Sequence, residues 1–203
     1  MDIEIKDIRR KDFNKILSYS GEGMGVGAYT DDPREIRLYS RYFWYMELTK
    51  ATQIICAYEN DEPVGVLLAD MNGEKKAYRS VFARIIIGLS DFLMGIIFKG
   101  GANSYSQAND DMLKKFLKDN KPDGELCFLA VQPDKNGRGI GTILLNELAK
   151  RAKGRLIYLF TDSNCTYQFY DKRGFALEQK RNITLDLHGN KIPLDCFLYS
   201  KKL

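Results

Sequence analysis

Three glycines spaced two apart, Gly137, Gly139 and Gly141, follow a short apolar run ending at Val131. They precede a segment with Ile140, Leu144, Leu148 and Ala152 four apart. A strand that turns through such glycines into a helix leaves several backbone N–H groups unpaired at the positive helix end, and that arrangement holds phosphate. Side chains would block the approach of the backbone, and such turns use φ above zero. Arg138 adds a fixed positive charge. Two familiar phosphate loops do not fit. A Walker loop needs Lys after a correctly spaced glycine, and the dinucleotide fingerprint would need glycine at 142 or 144, where Thr142 and Leu144 stand. Taken alone, the turn also fits a tight strand-to-helix connection with no ligand.

Other reactive residue types are sparse. Cys56, Cys127, Cys165 and Cys196 lie far apart with no CxxC pair, so neither a zinc site nor a disulfide framework is expected, and reduced thiols point to the cytoplasm. No metal is expected. The single histidine, His188, falls in an expected hairpin turn, where it reads as a solvated turn residue. With 203 residues, 44% hydrophobic and 29% charged, the chain is long and apolar enough for one folded domain and unlike a disordered or low-complexity sequence. Its net charge of +4 suits an anionic small molecule but falls short of a dedicated nucleic-acid binder. The start, Met1 to Glu4, has no secretory character, and the most apolar stretch, Val81 to Phe98, is broken by Arg84, Ser90 and Asp91. A spanning helix needs roughly 20 predominantly apolar residues, so no stable membrane insertion is expected.

The elements that must position the turn follow from periodicity. Ile3 to Ile8 alternates as a strand, and Asp12 to Tyr19 reads as a short helix ending at Gly21, followed by a glycine-rich link to Gly27. Asp32, Pro33 and Glu35 open a helix with Ile36, Tyr39, Phe43 and Met46 on one stripe. Gln53 to Tyr58 and Val64 to Asp70 form an antiparallel hairpin. Between about 77 and 123 come two helical patterns, Ser80 to Phe98 and Gln107 to Asp119, separated by Lys99 to Asn103. Leu126 to Val131 is an apolar strand, the helix after the glycine turn runs to about Lys153, and Arg155 to Thr161 is a further strand. A short helix ending at Gly174 and a hairpin of Phe175 to Leu187 with Ile192 to Ser200 complete the chain. Strand, helix, strand, helix, hairpin predicts an α/β or α+β mixed sheet.

The stretch Glu125 to Val131, then Asn136 Gly137 Arg138 Gly139 Ile140 Gly141, then Asn164 to Tyr170 with Gly174 and Phe175, resembles the GNAT superfamily of acyl-CoA-dependent N-acetyltransferases. The likeness covers residues 124 to 176. The family's turn pattern, Q/R-x-x-G-x-G/A, is met at Gly139 and Gly141, with Asn136 in its first place; the later FYxxxGF pattern is met by Phe169 to Phe175. The resemblance implies a mixed, twisted central sheet flanked by helices in a single domain, 1–203; the segment 77–123, too long for a simple loop, departs from the family's short link and reads as a helical insertion between the third and fourth strands. It implies acetyl-CoA as acyl donor, lying between the strands that end at Val131 and Thr161 with its pyrophosphate on the amides of Asn136, Gly137, Arg138, Gly139, Ile140, Gly141 and Thr142. Asn164 joins the donor site. The N–H of Leu129 would face the acetyl carbonyl, and the backbone of Val131 would pair with the pantetheine. Tyr170 would protonate the departing thiolate, and Glu125, directly or through water, would take the amine's proton.

The expected reaction is direct acetyl transfer to a primary amine whose identity stays open. Cys165 lies close enough to the expected sulfur site to raise an acyl-enzyme route, but no histidine adjoins it. The apolar insertion, with Ile85, Ile86, Ile87, Leu89, Phe92, Leu93 and Ile96, reads as a cover over the acceptor or as the face of a homodimer. Two other classes use the same cradle: an acyl-CoA sensor without turnover, and a nucleotide-binding protein.

Overall fold

The structure is a computed structural model that describes residues 2–23, 32–80, 83, 87–88, 101–187 and 190–203. Its strands are β1 (Glu4–Lys6), β2 (Gln53–Glu59), β3 (Glu62–Met71), β4 (Gly124–Val131), β5 (Leu156–Asp162), β6 (Ala176–Leu187) and β7 (Asn190–Lys202). They form one seven-stranded sheet in the order β1-β2-β3-β4-β5-β7-β6, antiparallel at every junction except β4 with β5.

Helices cover both faces. On one face lie α1 (Phe13–Gly23) and α2 (Pro33–Lys50), which bury Phe13, Ile16, Trp44 and Leu48 against Val66, Leu68, Phe128 and Ala130. On the other lies α4 (Ile140–Arg151), whose Ile140, Leu144 and Leu148 pack on Ile55, Leu67, Leu126 and Ile157. Alternate residues of β5 and β7 serve the two sides: Ile157, Phe197 and Tyr199 join the α4 cluster. Cys196 and Leu198 pack with Met112 and Phe116 of α3 (Gly101–Asp119). A four-residue helix, α5 (Gln168–Asp171), follows β5.

The α/β architecture and the order of elements agree with expectation, and the differences have local causes. α1 continues through Gly21 to Gly23, where a link was expected. A helical glycine costs about 1 kcal/mol against alanine, which the burial of Tyr19 and Ser20 can offset. The rest of that link, 24–31, lies outside the described residues, as do most of the expected helix 80–98 and the hairpin tip at His188. α3 begins at Gly101, inside the expected separator. On α2 the cap is as expected, with the Arg34 N–H donating to Asp32 Oδ1 at 2.8 Å. Its most buried face, however, is Ser40, Trp44, Tyr45, Glu47 and Leu48, while Ile36, Tyr39, Phe43 and Met46 are half-buried on its flank.

Candidate active site

The parallel pair β4 and β5 is the break in an otherwise continuous ladder. Only Gly124 with Ile157 and Glu125 with Tyr158 are paired, yet β4 runs on to Val131 and β5 to Asp162. Beyond Glu125 the strands part and leave one edge of β4 without a strand partner among the described residues. Across its other edge β4 pairs with β3, Leu129 opposite Leu67 and Val131 opposite Gly65. Cys127 is an extra residue in that ladder, because Leu68 pairs with Phe128 and the next residue, Ala69, with Leu126. This bulge changes which way β4 faces: Leu126 joins the cluster under α4, whereas Phe128 and Ala130 join the cluster under α2.

The chain then reaches the glycine turn at the mouth of the opening. Gly137 has φ 78° and Gly139, the N-cap of α4, has φ 80°. A Cβ at either would meet nothing within 4 Å among the described residues. The first helical carbonyl bond is Ile143 N–H to Gly139 O at 3.0 Å, so the N–H groups of Ile140, Gly141 and Thr142 are helix-end donors with no helical acceptor. Those of Gly137 and Gly139 likewise have no acceptor among the described residues, and together these five donors are the candidate cradle. It is narrower than the sequence suggests. The Asn136 N–H donates to Pro133 O at 3.1 Å, and that of Arg138 points to Lys135 O at 3.4 Å, because a short 3-10 turn over Pro133–Lys135 precedes the glycines.

Arg138 is not a free phosphate ligand either. Its guanidinium donates to Glu59 Oε1 at 2.6 Å and Oε2 at 3.1 Å, and Lys135 Nζ meets the same carboxylate at 2.9 Å. These two cations hold the Glu59 carboxyl down to about 2 and fasten the turn to the end of β2. A different cation stands at the start of α4. Arg173 donates to Thr142 Oγ1 and to Phe169 O and lies 3.7 Å over the Phe169 ring. That ring in turn fills the space beside Gly141, where a Cβ would come within 2.9 Å of Phe169 Cε2. Gly141→Ala is therefore expected to destabilise the fold by about 1–3 kcal/mol through overpacking, read as a lowered denaturant midpoint.

Tyr170 stands on α5 among Phe169, Phe175 and Tyr199, with ring centroids 5.3, 5.4 and 6.2 Å away. Burial, with Cys165 adding to it, raises its phenol well above the usual range, so it is a neutral donor at any working pH. Asn164 is exposed after β5 and its N–H donates to Asp162 Oδ1 at 2.9 Å. Burial pushes the Cys165 thiol up to about 12, with Asp162 acting in the same direction. Such a thiol carries no thiolate near neutrality, which argues against an acyl-enzyme. α3 reaches the rim, where Tyr105 donates from its hydroxyl to Asp162 Oδ2 at 3.3 Å.

Glu125 lies where β4 and β5 begin to part. Tyr158 donates to its Oε2 at 3.3 Å, and burial raises its carboxyl against the opposing pull of Lys50. Behind it stands a residue that the sequence did not single out. Glu47 of α2 is buried at 8% exposure, and burial pushes its carboxyl up to about 7, with Glu125 adding to the rise. One signal was present: a carboxylate inside the apolar spacing of Trp44 and Leu48.

The model of the acetyltransferase (GNAT) family matches residues 98–175, the span from α3 through the glycine turn to Phe175. This chain has the GNAT acetyltransferase fold. Among solved structures, PaiA N-acetyltransferase from Thermoplasma acidophilum in complex with coenzyme A is similar at TM-score 0.57 and 17% identity, with 100% of both chains covered. An N-acetyltransferase from Staphylococcus aureus Mu50 is similar at TM-score 0.54 and 15% identity, covering 100% of this chain and 99% of that one. No curated protein matches in sequence. Acyl transfer is the general chemistry that the GNAT match supports. All four cysteines are free, and among the described residues no helix is long and apolar enough to cross a membrane.

Proposed function

We propose that the protein transfers an acetyl group from acetyl-CoA directly to a primary amine. The observation that carries this reading is the parting of β4 and β5 ahead of a glycine turn whose N–H groups have no acceptor among the described residues and whose Gly137 and Gly139 have open space beside them. The amides of Gly137, Gly139, Ile140, Gly141 and Thr142 suit the pyrophosphate. The free edge of β4 at Val131 suits the pantetheine as an added strand, and the Leu129 N–H the acetyl carbonyl. The amine nitrogen attacks the thioester carbon, the oxyanion forms at that N–H, and the C–S bond breaks as the tetrahedral adduct collapses. A buried carboxylate beside the start of β4 receives the amine's proton, directly or through water, and Glu125 is the residue that the resemblance implies for that role.

Tyr170 gives its proton to the leaving thiolate. A phenol raised by burial would be too weak an acid for a solvated thiolate of ordinary pKa, but the sulfur leaves into the same apolar surroundings. Burial raises the Cys165 thiol, and a thiolate leaving into apolar surroundings would be raised in the same direction as the phenol, which narrows the gap between donor and acceptor. The reading takes the chain as one domain with 77–123 inserted between β3 and β4, in a cytoplasmic setting that keeps its thiols reduced.

Release of free thiol from acetyl-CoA across a panel of primary amines tests the proposal. Amine-dependent release is expected, and Tyr170→Phe is expected to lower kcat at least tenfold at unchanged CoA affinity. CoA binding with no amine-dependent release would replace the enzyme by a sensor; displacement of CoA by ATP would turn the cradle into a nucleotide site.

A further inference from the structure

The reaction as drawn leaves Glu47 unused, and its geometry is not that of a structural carboxylate. Its side chain is only 10% exposed. Oε1 accepts from Lys50 Nζ at 3.2 Å, while Oε2 is fully enclosed and, among the described residues, has no nitrogen or oxygen donor, the Cys127 thiol being the one further group that bears on the carboxylate. A buried carboxylate oxygen without a donor is costly, so such an atom either holds a proton or awaits a donor.

The groups around it come from three strands as well as its own helix. Glu125 and Cys127 of β4 lie beside it, Lys50 is one turn along α2, and Asp70 of β3 and Tyr158 of β5 bear on Glu125. Asp70 is already neutralised by Lys76, whose Nζ reaches both of its oxygens at 2.7 and 2.8 Å. Lys50 is then the one described cation facing two carboxylates, which leaves a place for one proton or one ligand ammonium.

We propose that Glu47 is the group that takes the proton from the acceptor's ammonium, with Glu125 as the second carboxylate that holds the cation beside it, so that the acceptor is a cationic primary amine. The proposal rests on the acyl-transfer reading above. Position along β4 supports Glu47 over Glu125 as the direct acceptor. At about 3.3 Å per strand residue, Glu125 starts about 13 Å from Leu129, where the acyl carbonyl would lie, whereas Cys127, beside Glu47, starts at about half that distance. The bulge at Cys127 keeps this part of β4 turned toward α2. Glu47 accepts one proton from the ammonium and later returns it to solvent. The second nitrogen proton, lost when the adduct collapses, balances the one the thiolate takes up through Tyr170. A carboxyl near 7 is matched to that task at neutral pH.

The test is the pH profile of kcat/KM with acetyl-CoA and a primary amine, alongside CoA affinity by calorimetry. Wild type is expected to show an acid limb near pH 7. Glu47→Gln is expected to lose at least a hundredfold in kcat/KM and to lose the limb, with CoA affinity within twofold of wild type. Glu125→Gln is expected to move the limb to lower pH, because it removes a neighbouring negative charge. That shift is read without any change at Glu47, so it decides even if Glu47→Gln fails to fold. An active Glu47→Gln with its limb intact, or a Glu125→Gln limb that does not move, overturns this proposal and leaves acyl transfer standing. A wild type that binds CoA but turns over no amine overturns both.

Discussion

Replacing Gly137 and Gly139 together by alanine is expected to weaken CoA binding at least a hundredfold while the protein stays folded. Both residues hold φ near 80°, where an L-residue costs about 1–2 kcal/mol each, and neither Cβ would touch anything among the described residues. The fold has two ways to respond. It can keep the turn and carry the strain, or relax the turn toward negative φ, which swings the N–H groups of Gly139 and Ile140 out of convergence. In either case the methyl groups stand in the space that the phosphates would fill. The core beneath α4 is untouched, since Ile140, Leu144 and Leu148 are anchored from the other side. Calorimetric titration with CoA and a denaturant curve on the same sample separate the two effects. Unchanged CoA affinity in a folded double variant would remove the cradle from this turn and leave the opening between β4 and β5 without its phosphate end. Gly141→Ala supplies the contrast, because its cost falls on Phe169 and hence on stability.

What the sequence made legible is what single residues dictate. Positive φ at Gly137, Gly139 and Gly174 and the Asp32 cap leave local marks on residue type, and so do the apolar runs of β2 to β5. What it hid depends on partners far along the chain. Arg138 reads as a phosphate ligand until Glu59, 79 residues away, is seen to hold it. The Asn136 amide reads as free until the turn at Pro133 closes on it. No local pattern announces the bulge at Cys127, because it exists only in the register between β3 and β4. Glu47 was hidden for a related reason. The half-buried aromatic flank of α2 masked its most buried face, and a carboxylate within an apolar helix face gains meaning only when Glu125 and Cys127 are found opposite it.

The same burial that suits Glu47 to take a proton makes it costly to the fold, and that cost has a definite pH window. Its carboxyl is raised from 4.5 to about 7 in the folded protein, so the folded state binds this proton more tightly than the unfolded chain. Stability from this group is fully present below pH 4.5 and is lost as pH rises through about 7. At 1.36 kcal/mol per unit the loss approaches about 3 kcal/mol by pH 8, and with the side chain one-tenth exposed little of it is screened away. Glu125, also raised by burial, acts in the same direction. Asp12 and Glu59 are lowered by their cations, so their contributions are gained below this window and are complete within it. Glu47→Gln keeps the shape and removes the ionisation. It is therefore expected to match wild type near pH 4.5 and to exceed it by about 2–3 kcal/mol at pH 8, measured by urea unfolding at both pH values. A constant difference between the two proteins across that range would mean that Glu47 ionises in the fold as it does in water. A gap that opens with pH, in a variant that has lost turnover, would place the stability cost and the chemistry on the same buried oxygen.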